Sequence, residues 1–394
     1  MFDVIVVGAR CAGAAAALLL ARMGHRVLLL DRMAFPAETM STLYIHQPGV
    51  RLLAEWGVLD TVRASGCPPL DRTSYQIGDV ALSGPAAASG AVTAAFAPRR
   101  KVLDGILVDA AVAAGAVFRD RTKAVGLCVE DGRVVGVRCR EGNGRESEYR
   151  GRLVVGADGM RSTVADLVSA EYELVHPKLT CVYFTQWRGA RTEFAFHEHP
   201  GHWIAVIPTH DDTTIVSTYF PQERFHEVRR DPLRIHLSAI RNLAPAVFET
   251  LSRAERLGGV QGTGDQRNFF RRADGPGWAL IGDAGHHQDT ITARGITNAL
   301  RQAGILAETV GGAIGDRPTL DAALRVWSAR RDAVLRPVFD ATLAVARLHV
   351  AESRLRVMRA IAADAELTRG YFAAVAGIAP MAELLADDRL LDVL

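Results

Sequence analysis

Residues 1–32, MFDVIVVGARCAGAAAALLLARMGHRVLLLDR, decide how this chain folds. Residues 4–7 form a short apolar run, as a parallel strand buried on both faces requires. Gly8 permits a tight turn, and Gly13 lets the following helix pack closely on the sheet. Residues 14–22 are rich in Ala and Leu and favour helix. Gly24 stops that helix, and residues 26–30 return to strand character. Asp31 ends the second strand as a candidate acceptor for ribose hydroxyls, with Arg32 beside it. The helix start offers unpaired N–H groups to a pyrophosphate. Gly8, Arg10, Cys11, Ala12, Gly13, Asp31 and Arg32 are therefore the first candidate cofactor contacts. The segment predicts an adenine dinucleotide, FAD or NAD(P), at the amino end of an α/β chain.

One position departs from the usual Gly-x-Gly-x-x-Gly pattern. Arg10 stands where the second glycine allows close backbone approach to phosphate. Its guanidinium offers charge-assisted contacts instead.

The chain has 394 residues and a formal net charge of +2, enough for two or three structural units and one large core. Basic pairs such as Arg99-Arg100, Arg229-Arg230 and Arg330-Arg331 are scattered, so a nucleic-acid partner is not expected. The five cysteines, Cys11, Cys67, Cys128, Cys139 and Cys181, lie far apart with no Cys-x-x-Cys, which suits free buried thiols in a reducing compartment. The first strand begins at once, so a signal peptide is not expected. No apolar stretch has transmembrane length. A cytoplasmic protein without a membrane partner, monomer or homodimer, is the expectation.

Farther along, Gln47-Pro48-Gly49 opens a helix, and residues 65–95 read as loops and edge strands. A helix is expected over 101–114, stopped by Gly115. Hairpin signals follow at Asp131-Gly132 and Asn143-Gly144. From 179 to 219 the chain alternates as an antiparallel meander, with Cys181, Tyr183, Thr185 and Trp187 on one face. Residues 224–251 read as mostly helical. A short apolar strand returns at 278–281, a helix follows from about 294 to 310, and the pattern is helical from 321 onward. Leu348, Ala351, Leu355, Met358 and Ala362 make an apolar stripe for packing on the body or on a second subunit.

Three further motifs bear on chemistry. Arg100-x-x-Leu103 opens a helix with a cation. Asp158-Gly159 makes a sharp turn after a strand. Gly282-Asp283 ends another strand and places a carboxylate at the carboxyl edge of the sheet, the ligand side of an open α/β sheet. Taken in order, these motifs resemble the class A FAD monooxygenases built like para-hydroxybenzoate hydroxylase, over nearly the whole chain. Flavin halogenases and geranylgeranyl reductases share that architecture.

The resemblance implies a Rossmann-like FAD-binding domain with a parallel sheet, an antiparallel substrate domain and C-terminal helices, α+β overall. The expected divisions are 1–177 for the first part of the FAD domain and 178–265 for the substrate domain. Residues 266–315 then return to the FAD domain, and 316–394 form a helical region. By resemblance Gly8, Arg10, Gly13, Asp31, Arg100, Asp158 and Asp283 contact FAD, with Gly282 beside them and Val125 bringing backbone to adenine. Gly295 and Ile296 direct backbone donors at the flavin ring. NAD(P)H is the transient reductant, and oxygen transfer from O₂ proceeds through a flavin C4a-hydroperoxide onto a small organic substrate. Thr290 replaces a proline that often lines the substrate pocket, and Thr292 replaces a glycine.

Tyr183, Trp187, Phe194, Phe196 and Trp203 are candidate pocket walls. His46, His286 and His287 are candidate acid–base groups. The cluster His197, His199 and His202 surrounds a Pro-Gly turn without a matching ligand set, so no metal is expected. The stretch Trp203-Ile204-Ala205-Val206-Ile207-Pro208 is similar to the halogenase Trp-x-Trp-x-Ile-Pro motif but has Ala205 at the second tryptophan, and the halogenase lysine has no assignable counterpart. A flavin reductase or dehydrogenase, a halogenase-like enzyme and a non-catalytic flavin-binding interaction protein are the other readings.

Overall fold

A computed structural model describes residues 1–393. The expected amino-terminal unit forms. Strand Phe2–Val7 lies between Glu146–Gly156 and Val27–Leu30, parallel to both. Val117–Arg119 extends the sheet on one side and Trp278–Leu280 on the other, again in parallel. Asp274–Gly275 adds a short antiparallel edge. Every residue from Val4 to Val7 is buried, which explains the unbroken apolar run.

The two faces of this sheet are covered differently. Val4, Val6, Leu29 and Val155 face a helical layer made by Cys11–Arg22, Arg100–Ala113 and Gly295–Val310. Ala14, Ala15, Ala16 and Ala17 are fully buried, and their small side chains let Cys11–Arg22 nest between sheet and neighbouring helices. Ile5, Val7, Leu28 and Leu30 face the ribbon Thr122–Glu130 and Arg133–Glu141 and the short helix Thr163–Leu167. Each fully buried Val or Leu contributes roughly 1.5–3 kcal/mol to this core.

The second sheet has seven strands, ordered Glu255–Thr263, Thr180–Arg188, Thr213–Pro221, His202–Thr209, Ala195–His199, Arg72–Ile77 and Val80–Pro85. All neighbours are antiparallel except Ala195–His199 with Arg72–Ile77. Two of these strands come from within residues 1–177, so the sheet is not confined to 178–265. The alternating burial of Thr73, Tyr75 and Ile77 puts that hairpin against the meander.

Both faces of the second sheet are covered too. Trp187, Ile204 and Val206 pack under helices Pro232–Leu243 and Pro245–Ser252. Val182, Phe184, Phe196 and Trp203 turn the other way, toward Ile291 and Ala293 and toward helices Glu352–Ala362 and Ala365–Ala376. The apolar stripe that includes Leu348 and Met358 is spent there, against the body of the same chain. Helix Arg317–Ala346 runs along the back of Gly295–Val310. Among the described residues no helix is long and apolar enough to cross a membrane.

Candidate functional site

A cleft of about 490 Å³ opens along the carboxyl edge of the parallel sheet and reaches the second sheet. Gly8, Arg10, Cys11, Ala12, Asp31, Arg32, Arg100, Asp158, Gly282, Asp283, Gly295 and Ile296 all line it. These residues come from separate strand ends and helix starts, as the carboxyl edge of an α/β sheet arranges them.

The strand–turn–helix at the amino end supplies the floor. Gly8 has φ +104°, and a Cβ there would come within 2.3 Å of the Ala157 carbonyl oxygen. Gly13 lies below the loop rather than in the cleft wall: its Cβ would meet the Gly8 carbonyl oxygen at 1.8 Å. Arg10 precedes helix Cys11–Arg22 with no side-chain cap. The first-turn N–H groups therefore face the cleft unpaired. Arg10 itself donates to Thr39 Oγ1 at 2.9 Å, which ties the glycine turn to the loop over it.

Asp31 accepts from the Ala9 N–H at 3.0 Å and the Met33 N–H at 2.9 Å, so its carboxylate is already aimed at the turn. Arg100 is held by both oxygens of buried Asp104 at 3.0 and 3.1 Å. Cys11 Sγ donates to the same carboxylate, and burial pushes that thiol's pKa far up. Arg100 Nε is buried and has no partner. Asp283, in the turn Gly282–Ala284, is exposed in the cleft and accepts no hydrogen bond from the described residues. Helix Gly295–Val310 also starts without a side-chain cap, and a Cβ on Gly295 would meet nothing within 4 Å.

These features fit FAD. Two uncapped helix starts face one cleft, two carboxylates stand at strand ends, and one buried guanidinium N–H lacks an acceptor. With FAD in this cleft, Asp31 would face a ribose, the Cys11 turn a pyrophosphate, Asp283 the ribityl chain and Gly295–Ile296 the ring edge.

The structure redistributes several sequence expectations. Asp158 lines the cleft, but its carboxylate is consumed by Ser162 Oγ and by the N–H groups of Thr163 and Val164, so it holds the start of a helix. Burial raises its pKa. Val125 sits where the ribbon register shifts and does not line the cleft; Thr122, Lys123 and Ala124 do.

Tyr183 and Trp187 face away from the cleft. Tyr183 packs with Phe220 and Val228, and Trp187 lies under the helices. Their neighbours in the alternation, Val182 and Phe184, line the cleft instead. Strand parity gave the two faces correctly, but both are apolar, so composition could not say which one meets the cleft. Trp203, Phe194 and Phe196 are on the near face yet buried behind the wall, with Trp203 and Phe196 5.3 Å apart. Thr290 lines the cleft.

Of the histidines, only His287 reaches the cleft, with Nδ1–H donating to the Arg267 carbonyl. His286 is buried between Phe270 and Phe339. His46 Nε2–H donates to the Thr292 carbonyl at 3.0 Å. Burial, then cationic neighbours, hold both pKa values well below the ordinary histidine range, so both are neutral and neither touches the cleft. Among the described residues no three His, Cys, Asp or Glu side chains gather to hold a metal. His199 Nε2–H donates to the Leu243 carbonyl, and His202 is engaged by the Pro200 carbonyl and Arg224.

Residues the motifs did not flag also matter. Gln266 lines the cleft from a loop, and Met40, Ser41 and Thr42 line it from the segment after Pro36. Irregular segments carry no periodicity to read.

The sequence family described as "FAD binding domain" matches residues 1–341. Digeranylgeranylglycerophospholipid reductase of Methanosarcina acetivorans is 27% identical over 329 residues, 80% of this chain and 76% of its own. The flavin-dependent brominase Bmp2 superposes with a TM-score of 0.82 at 17% identity, covering 95% of this chain and 93% of that one. PqsL of Pseudomonas aeruginosa, described as a probable FAD-dependent monooxygenase, superposes at 0.71 with 20% identity, covering 95% and 99%. The architecture is thus shared by halogenases, monooxygenases and a dehydrogenase-type flavoprotein. With its cleft and its family match in agreement, this chain belongs to the FAD-binding-domain family of FAD-dependent oxidoreductases.

Proposed function

We propose that the chain is a monooxygenase that uses NAD(P)H as transient reductant and O₂ as oxidant to hydroxylate a small organic substrate, aromatic or of natural-product type. The observation that carries this reading is the apolar lining that the second sheet adds to the cleft, where Val182 and Phe184 stand with Thr290 beside the cofactor-holding residues. Behind them Phe194, Phe196 and Trp203 interlock with Tyr371 and Phe372 of a C-terminal helix. A cavity of about 20 Å³ lies between Tyr44, His46, Phe196 and Phe372, room for about one water. This close aromatic packing behind the wall favours a small substrate over a long isoprenoid chain.

The lysines weigh against halogenation. Lys101 is exposed, Lys123 lines the cleft from the ribbon, and Lys178 is ion-paired with Asp265 at 2.7 Å. All three are exposed.

FAD, when bound, supplies the redox and oxygen chemistry. The chain's own residues bind it, orient it and exclude water. The start of Gly295–Val310 sets positive dipole ends where negative charge gathers. Phe184 and Val182 supply an apolar wall for a planar substrate. Asp31, Arg100 and Asp283 hold the remainder of the cofactor in place.

The test is direct. The purified protein is expected to retain FAD and to oxidise NAD(P)H faster in the presence of a small aromatic substrate, with label from ¹⁸O₂ entering the product. Turnover without label supports a reductase or dehydrogenase. Retained flavin with no NAD(P)H oxidation across a substrate panel supports an interaction protein.

A further inference from the structure

Arg10 is the departure in the glycine turn, and its side chain has a partner across the cleft. Its backbone has φ −82° and ψ −171°, ordinary extended geometry, so the turn does not call for glycine at this position. The guanidinium donates from Nη1 to Thr39 Oγ1 at 2.9 Å. Both residues line the cleft. Arg10 does so from the start of helix Cys11–Arg22, and Thr39 from the irregular segment between Leu30 and Gln47. The bond therefore joins two lining elements at the uncapped helix start, where the pyrophosphate of FAD would lie.

The segment that carries Thr39 is anchored at its two ends. At one end the Met33 carbonyl accepts from the Arg121 N–H at 3.0 Å, and the Phe35 N–H donates to Asp120 at 3.3 Å. The Phe35 ring meets Phe118 edge-on, with centroids 5.3 Å apart. At the other end Leu43 and Tyr44 are buried, and Tyr44 stacks on Phe194 at 4.2 Å. Between these anchors Glu38 and Met40 are exposed. Among the described residues, Arg10 to Thr39 is the one hydrogen bond that joins residues 37–42 to the chain outside 33–43. A stretch fastened in this way opens locally for little more than the cost of that bond. Arg10 has no carboxylate partner among the described residues, and only one of its N–H groups is engaged. A guanidinium has further donors to offer phosphate oxygens at the same time.

We propose that Arg10 and Thr39 form a clasp over the cofactor. With FAD in the cleft, the guanidinium holds a phosphate on one side and Thr39 on the other, and FAD enters or leaves only when residues 37–42 swing away. A second glycine would give close backbone approach to phosphate; the clasp gives slow exchange instead. The inference rests on FAD binding and not on the monooxygenase reading.

The test follows FAD association and dissociation by flavin fluorescence in the full-length protein. Thr39→Val removes the acceptor and leaves Arg10 free for phosphate. It is expected to speed dissociation roughly 5- to 30-fold, one hydrogen bond from a charged donor. Association is expected to quicken as well, so Kd moves less than the dissociation rate. Thr39→Ser keeps the hydroxyl and should keep wild-type rates. Arg10→Met should speed dissociation at least as much and weaken Kd, because the phosphate contact goes too. Adding Thr39→Val to Arg10→Met should change nothing further. In the FAD-free protein, cleavage after Glu38 by a glutamate-specific protease should quicken in both single variants. A wild-type dissociation rate in Thr39→Val, association no faster than wild type in that variant, or effects that add in the double variant overturns the clasp. Where a variant binds no FAD, cleavage at Glu38 decides: faster cutting supports the clasp and unchanged cutting overturns it. Because no turnover is needed, failure here is distinct from failure of the monooxygenase reading.

Discussion

Arg294 donates to the carbonyl of Ala376 at 2.9 Å and to that of Val375, binding the segment before Gly295 to the end of helix Ala365–Ala376. No carboxylate lies within ion-pair distance of Arg294 among the described residues. The negative end of the helix dipole compensates the charge instead. Burial, then the nearby Arg301, lowers the Arg294 pKa to about 10, so it stays charged at neutral pH. The C-terminal helices are thereby coupled to the residues that would face the flavin ring.

Replacing this arginine should loosen the roof of the site. Arg294→Met removes two charge-assisted hydrogen bonds and leaves helix-end carbonyls buried without donors. A loss of roughly 1.5–3 kcal/mol is expected in urea unfolding. Limited proteolysis should then cut first in residues 365–393. Arg294→Lys should recover less than full stability, because one ammonium cannot present the planar fork. Wild-type stability in Arg294→Met would contradict the coupling.

Asp283→Ala should separate cofactor affinity from folding. The carboxylate has no partner within the described residues, so stability of the FAD-free protein should stay within about 0.5 kcal/mol. FAD affinity should fall roughly 10- to 100-fold, the loss of a hydrogen bond to a charged acceptor. Equilibrium dialysis against FAD checks this. Unchanged affinity would move the ribityl chain elsewhere in the cleft.

Asp104 serves Arg100 and Cys11 together. Asp104→Ala leaves the buried Arg100 guanidinium without its counter-charge, a cost of roughly 3–5 kcal/mol. The double variant Asp104→Ala with Arg100→Met should be more stable than the single one, because the unpaired charge is gone. A double-mutant cycle by chemical denaturation gives the coupling.

Buried neutral histidines set the response to acid. His236 sits between the hydroxyls of Thr185 and Thr218, each 2.8 Å away. Burial lowers its pKa to about 3, and burial likewise lowers that of His197 to about 4. The unfolded chain takes up these protons near pH 6.5 and the folded chain does not. Their contribution is whole above pH 6.5 and is lost on acidification. Each should tilt stability by about 1.4 kcal/mol per pH unit between 6.5 and its folded value. Asp289 acts in the opposite sense between its folded value near 6 and the ordinary carboxylate range. Urea unfolding of His236→Gln from pH 7 to 4 should give a shallower decline than wild type.

The legible parts of the molecule were those with a period or a fixed turn chemistry. Residues 1–32 announced the first strand, glycine turn, helix and second strand, because apolar runs and glycine positions are local constraints. The Gly282-Asp283 strand end and the helix opening at Gly295 were readable for the same reason. Tyr183 and Trp187 misled because aromatic weight marks burial, and this sheet is buried on both sides. Arg294 and Gln266 were invisible as site residues. Their roles come from partners far away in the chain, Ala376 and Thr290, and no spacing rule connects them.

Strand Glu146–Gly156 pairs on one side with Phe2–Val7 and on the other with Trp278–Leu280. The amino-terminal segment and its neighbour Val27–Leu30 are synthesised first, yet its other neighbour, Glu146–Gly156, arrives much later, and the Gly282–Asp283 turn later still. A nascent chain still lacking residues beyond Trp278 would hold a half-built cradle. Flavin loading is therefore expected late in the life of each molecule, and premature termination anywhere before that strand should yield colourless protein rather than a weak binder.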